Sequence, residues 1–148
     1  MKKSQRLQKI SQVAENREQQ SGQQLTQSRH HADAQQQQLV QLRQYRDEYK
    51  QQFQQLGGQG INARQLADFH SFLNKLNDAI GQQEQAVTNS QQTLENHHQL
   101  WLEAHQRVKA LNRAVNKRRA DEIYAENRKE QMASDEYGLR GRDKESVF

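Results

Sequence analysis

The side chains best suited to acid–base or metal chemistry are six histidines, four of them in the adjacent pairs His30–His31 and His97–His98. A metal centre needs several donors converging on one point, whereas neighbours along a helix point to different faces. His98 and His105 lie two turns apart, too far to clamp one ion without further ligands. Cysteine is absent, which removes thiolate nucleophiles and disulfide frameworks and fits a reducing cytoplasm. No glycine-rich loop runs into Lys-Ser or Lys-Thr, and no Gly-x-Ser-x-Gly elbow occurs. The histidines therefore read as solvated or helix-seam residues, and neither a catalytic centre nor a cofactor is expected. Any chemistry of this chain is surface recognition.

The elements that would position such surfaces are long helices. Leu66, Leu73, Ile80, Val87, Leu94, Trp101, Val108 and Val115 follow one another at a fixed spacing of seven. A straight helix drifts by about 20° per heptad, so this repeat keeps one seam only if two helices supercoil left-handedly. A second series, Phe69, Leu76, Gln83, Ser90, His97, Ala104 and Leu111, completes the seam. Proline is absent and glutamine makes up about one residue in five, which favours uninterrupted helix. The mean hydropathy of −1.30 is that of a disordered chain, yet a two-helix seam needs only two apolar positions in seven. The expectation is an elongated all-α rod. No apolar run reaches the length of a membrane span, and MKKSQRLQKI lacks the apolar core of a signal peptide.

Gly57, Gly58 and Gly60 sit between two helical patterns, where glycine can take positive φ and reverse the chain. Helix one is expected over residues 3–56, with apolar positions Leu7, Ile10, Val13, Ala14, Leu25, Ala32, Leu39, Leu42, Tyr49, Phe53 and Leu56. The eleven-residue step from Ala14 to Leu25 predicts a stutter in the supercoil. Helix two is expected over 62–134, with Asn62 as its N-cap. The turn at 57–60 makes the helices antiparallel, with facing residues whose numbers sum to about 117 to 122. Residues 1–137 thus form a two-helix antiparallel coiled-coil hairpin, and 138–148 (GLRGRDKESVF) are expected to be disordered. With Ser21, Ser28, His31 and Gln35 in the middle of helix one, the centre should be held less firmly than the two ends.

Two surfaces stand out. Near the turn, Tyr45, Phe72 and Ala79 are left beside the seam together with Gln38 and Gln83, and exposed aromatic groups mark partner sites. A wide seam that buries them is the competing reading. At the open end, Lys2, Lys3, Arg6 and Lys9 meet Arg107, Lys109, Arg113, Lys117, Arg118 and Arg119. Nucleic acid is the obvious partner of such a cluster. Against it, Asp121, Glu122, Glu126, Glu130, Asp135 and Glu136 follow at once, and aromatic interleaving is thin. A protein socket suits the mixed charge better.

The chain resembles the FliJ family of bacterial flagellar type III export. The likeness is sharpest in QQLVQLRQYRDEYKQQFQQLGGQGI (37–61), LADFHSFLNKLNDAI (66–80) and YAENRKEQ…DE (124–136). The resemblance implies an antiparallel coiled coil similar to the central stalk of rotary ATPases. Its free ends would enter the hexameric export ATPase and promote its assembly and hydrolysis. On that stalk reading the ring would be met by the cations Arg107, Arg113, Lys117, Arg118, Arg119 and Arg128, facing acidic loops that line it. A surface patch would bind the cytoplasmic domain of the membrane-embedded export gate, and the family pattern for it falls on Gln38, Leu42, Tyr45, Tyr49, Phe72, Leu76 and Ala79. Gln83 departs from the histidine of that pattern. The resemblance further implies escort of export chaperones and a cytoplasmic location, peripheral to the inner membrane at the flagellar base, without membrane insertion. Two alternatives stay open: a self-associating rod that forms a four-helix dimer, and a basic coiled coil that binds nucleic acid.

Overall fold

The computed structural model describes residues 2–145, with side chains through Gly141. Two helices account for nearly all of it, α1 (Lys3–Gly57, 55 residues) and α2 (Ala63–Glu145, 83 residues). They pack against each other antiparallel, as an αα-hairpin. The expected end of helix two near Ser134 is passed without a break. Gly138 and Gly141 weaken a helix by about 1 kcal/mol each relative to Ala, but no proline follows them and neither takes positive φ. The stretch expected to be disordered from Gly138 is therefore helical to Glu145, and 146–148 lie outside the described residues.

The turn closes through local bonds. The amide of Gly58 donates to the Gln54 carbonyl (3.3 Å), that of Gln59 to Leu56 (3.0 Å) and that of Gly60 to Gly57 (3.4 Å). Gly60 supplies the single reversal, with φ of +92°. Asn62 then caps α2 as expected: its Oδ1 accepts from the Gln65 amide at 2.8 Å, and Gln65 Oε1 accepts from the Asn62 amide at 3.1 Å. This reciprocal pair is a capping box built from amide side chains.

Contacts divide the hairpin into two units, one of residues up to Glu18 with those from Glu103, the other Gln19–Leu102. In the Gln19–Leu102 unit the seam of α1 runs through positions 25, 28, 32, 35, 39, 42, 46, 49 and 53, and that of α2 through 69, 73, 76, 80, 83, 87, 90, 94, 97 and 101, all buried or half-buried. Leu39, Ile80 and Val87 form a buried apolar cluster in it, with Leu42 packed against them. Nearer the turn, Phe53 and Phe69 stack at 3.6 Å, and Tyr49 adds to both Phe69 (5.2 Å) and Phe72 (4.6 Å). Farther from the turn the buried side chains of α1 shrink to Leu25 and Ala32. His31, expected to face this stretch, is exposed, because Ala32 holds the seam position.

In the other unit the seam holds Ser4, Leu7, Ser11, Ala14 and Glu18 on α1 against Ala104, Val108, Leu111, Val115 and Glu122 on α2. The expected stutter is absent. Glu18 and Ser21, both half-buried, fill the heptad positions between Ala14 and Leu25, so the alternating steps of three and four continue. Four aliphatic residues expected in the seam stand outside it: here Ile10 is 46% and Val13 53% exposed, while Ser4 and Ser11 are 4% and 3%, and at the turn Leu56 and Leu66 are 57% and 45% exposed. The phase set by Leu7 and Ala14 places Ser11 inward and Ile10 one position off.

Candidate docking surfaces

The first surface lies in the Gln19–Leu102 unit. Gln38 and Tyr45 each come one residue before a seam position of α1, Leu39 and Arg46; Phe72 and Ala79 come one before Leu73 and Ile80 of α2. Side chains so placed line one flank of the seam instead of its interior. Tyr45 is 50% exposed and Phe72 36%, and their rings meet edge-to-face at 6.3 Å. Beside them Gln38, Gln41, Leu42, Tyr45 and Gln83 line a shallow groove of about 400 Å³. Gln41 was not singled out from sequence, although it continues the i, i+3, i+7 stripe of Gln38 and Tyr45.

Of the seven residues in the implied gate pattern, Gln38, Leu42 and Tyr45 share this groove, and Tyr45, Tyr49 and Phe72 form one aromatic chain. Ala79 is half-buried on the same flank. Leu76 differs, at 8% exposure, and supports the surface from within the seam. Gln83 has a structural task of its own. Its amide Nε2 donates to both the carbonyl and Oε1 of Gln35, each at 2.9 Å, tying the helices at a polar seam position. A second hollow of about 450 Å³ at the turn, which sequence reasoning missed, is lined by Tyr49, Phe53, Leu56, Ile61 and Phe69 with Asp68 at its rim. Its apolar lining comes from both sides of the turn, so no single stretch announces it.

The second surface is the basic end, in the unit of Glu18 and Glu103. Polar contacts close this end. Ser4 donates its amide (3.2 Å) and hydroxyl (2.6 Å) to the two carboxylate oxygens of Glu122, so a side chain of α2 caps the first turn of α1. Arg119 Nη2 donates to Gln8 Oε1 (2.7 Å), Ser11 Oγ to Asn112 Oδ1 (2.6 Å), and His105 Nδ1 lies 3.5 Å from Glu18 Oε1. The Ser4 hydroxyl bond holds the Glu122 carboxyl below the usual glutamate value. Partial desolvation opposes this, while the Ser4 amide and the charges of Lys2 and Arg118 reinforce it.

All six residues of the implied ring-contact set are exposed, but they do not share a face. Arg107 and Arg128 precede seam-phase positions and, with Lys117, fall on one flank. Arg119 lies on the other, held by Gln8. Arg113 is on the back of α2, and Arg118 falls in the seam phase at its open end. Past Glu122, α2 has no partner helix among the described residues, since α1 begins at Lys3. Ile123 and Tyr124 are accordingly 59% and 69% exposed.

The model of the flagellar FliJ protein family matches residues 2–142. The chain belongs to the FliJ family. No curated protein and no solved structure matches it. As a FliJ protein it is a component of the flagellar export apparatus, and the hairpin supplies that component with flanks and ends. Among the described residues no helix is long and apolar enough to cross a membrane, and no group of histidines and carboxylates is placed to hold a metal ion.

Proposed function

We propose that this FliJ protein is a non-enzymatic, stalk-like coiled coil that binds the hexameric export ATPase, promotes its assembly and hydrolysis, and links it to the export gate. The ring is met by the end that carries Arg107, Arg113, Lys117, Arg118, Arg119 and Arg128. Cations spread around the helix suit a partner that surrounds it, and they steer docking and register more than they add affinity. Arg119, already bonded to Gln8, contributes chiefly by fixing the end.

The cytoplasmic domain of the gate is met by the flank of Gln38, Leu42, Tyr45, Tyr49, Phe72 and Ala79, which Leu76 backs. The observation that carries this reading is the exposed Tyr45–Phe72 pair beside an amide-lined groove. Aromatic rings left half in water on a helix pair offer anchor area at small entropic cost. The protein acts in the cytoplasm, peripheral to the membrane at the flagellar base, and also escorts export chaperones.

The test is to mix the full chain with purified export ATPase and, separately, with the gate's cytoplasmic domain. The expected outcome is stimulated hydrolysis in the first case and a complex in the second. A chain that sediments as a dimer and leaves both partners unaffected refutes the proposal in favour of a self-associating rod.

A further inference from the structure

Ile10 and Val13, two of four exposed aliphatic residues of α1 with Val40 and Leu56, stand out because both lie on one face with cations around them. Lys3, Arg6, Ile10, Val13 and Arg17 follow the i, i+3, i+7 stripe of a single helix face, with Lys2 and Lys9 beside it, and all are exposed. The opposite flank of the same turns carries Gln5, Gln8, Gln12 and Glu15. Gln8 on that flank reaches Arg119, while the enclosed Ser11 bonds to Asn112 from within the seam. The cationic stripe therefore lies on the side of α2 that presents Arg107, Ala110, Ala114 and Lys117. Glu18 follows Arg17 directly, and Glu103 and Asp121 bound this side of α2, each four residues from Arg107 or Lys117.

We propose that this face is an adsorption surface for an anionic phospholipid bilayer. Two aliphatic side chains set among cations match the boundary between acyl chains and charged headgroups, where apolar atoms and Lys/Arg act together. A polyanion dissolved in water would satisfy the cations but leave Ile10 and Val13 wet. Single-strand-binding surfaces rely on aromatic stacking, and neither residues 2–18 nor 106–119 contain an aromatic side chain. The face lies flat on the headgroups and nothing spans the bilayer. This goes beyond the roles proposed for the ring and gate surfaces: its α1 residues belong to neither set, while Arg107 and Lys117 at its edge are shared with the ring contacts, so lipid and ring would compete for this end.

The experiment is flotation of the full chain with vesicles of phosphatidylglycerol and phosphatidylcholine, against phosphatidylcholine alone and against duplex DNA. The expected result is binding to the anionic vesicles that weakens as salt is raised. Ile10→Ser with Val13→Ser should reduce it about tenfold, and Lys9→Gln with Arg17→Gln about tenfold or more. Lys50→Gln with Arg64→Gln removes the same charge elsewhere and should change it less than about twofold. Far-UV circular dichroism verifies that each variant keeps its helices. Absence of vesicle binding overturns the proposal, as does equal loss in the Lys50/Arg64 variant. Capture of DNA in place of vesicles, insensitive to Ile10 and Val13, overturns it in favour of a nucleic-acid surface.

Discussion

Leu76 and Tyr45 stand on the same implied recognition pattern yet occupy different environments, and mutating each to alanine separates recognition from packing. Leu76 is 8% exposed in the seam, so Leu76→Ala removes its transfer free energy and leaves a gap between the helices. Such substitutions cost about 2–5 kcal/mol, and a two-helix seam open to solvent at its sides should fall at the low end, about 2–3 kcal/mol. Tyr45 is 50% exposed, and its main contact is the edge of Phe72 at 6.3 Å. The ring pair is worth about 0.5–1.5 kcal/mol, and the area already in water contributes nothing to folding. Tyr45→Ala should therefore cost about 1 kcal/mol. Urea unfolding followed by circular dichroism gives both numbers, and titration with the gate's cytoplasmic domain gives the affinities. The reasoning requires Tyr45→Ala to lose the gate while moving the midpoint about two to three times less than Leu76→Ala does. Equal loss of stability in the two variants, or full gate affinity in the Tyr45 variant, refutes it.

Four further outcomes follow from particular contacts. Gly60→Ala should destabilise by about 1–2 kcal/mol, because a Cβ there meets no atom within 4 Å and the cost is the positive φ alone; thermal unfolding checks it. Ser90→Ala should be neutral or stabilising by about 0.5 kcal/mol, since the buried hydroxyl only bonds back to the Val87 carbonyl of its own helix (2.8 Å). The Ser4–Glu122 contact should hold the first turn of α1 at any pH above the ordinary glutamate value, then weaken as acid carries the pH down through the lowered value of the folded state. The protection of the Ser4 amide, referenced to the intrinsic exchange rate at each pH, should fall across that window, and Glu122→Gln should remove the step. Finally, Arg118→Glu with Arg119→Glu should abolish ATPase stimulation while helix content stays constant, measured side by side by phosphate release and circular dichroism; unaltered stimulation would discard the ring assignment for these two arginines.

Much of the architecture could be read from residue order alone. The heptad from Leu66 to Val115, the absence of proline and the glycine cluster at 57–60 dictate two helices and a reversal, because each is a local property of the backbone or a strict period along it. Asn62 as cap, and Tyr45 and Phe72 beside the seam, followed from the same counting. Register and inside-versus-outside on α1 could not be settled this way. There the apolar signal is weak, and a residue's burial depends on the helix opposite: Ser11 and Ala32 are enclosed, while Ile10 and His31, one position away, are not. Burial of small polar residues leaves no hydrophobic mark in a sequence, so the continuous seam read as a stutter. The bond from Ser4 to Glu122, the Gln35–Gln83 tie and the hollow beside Phe53 and Phe69 join residues far apart along the chain. Such contacts come into being only when the hairpin closes, since distance in space, not spacing along the chain, brings their partners within reach.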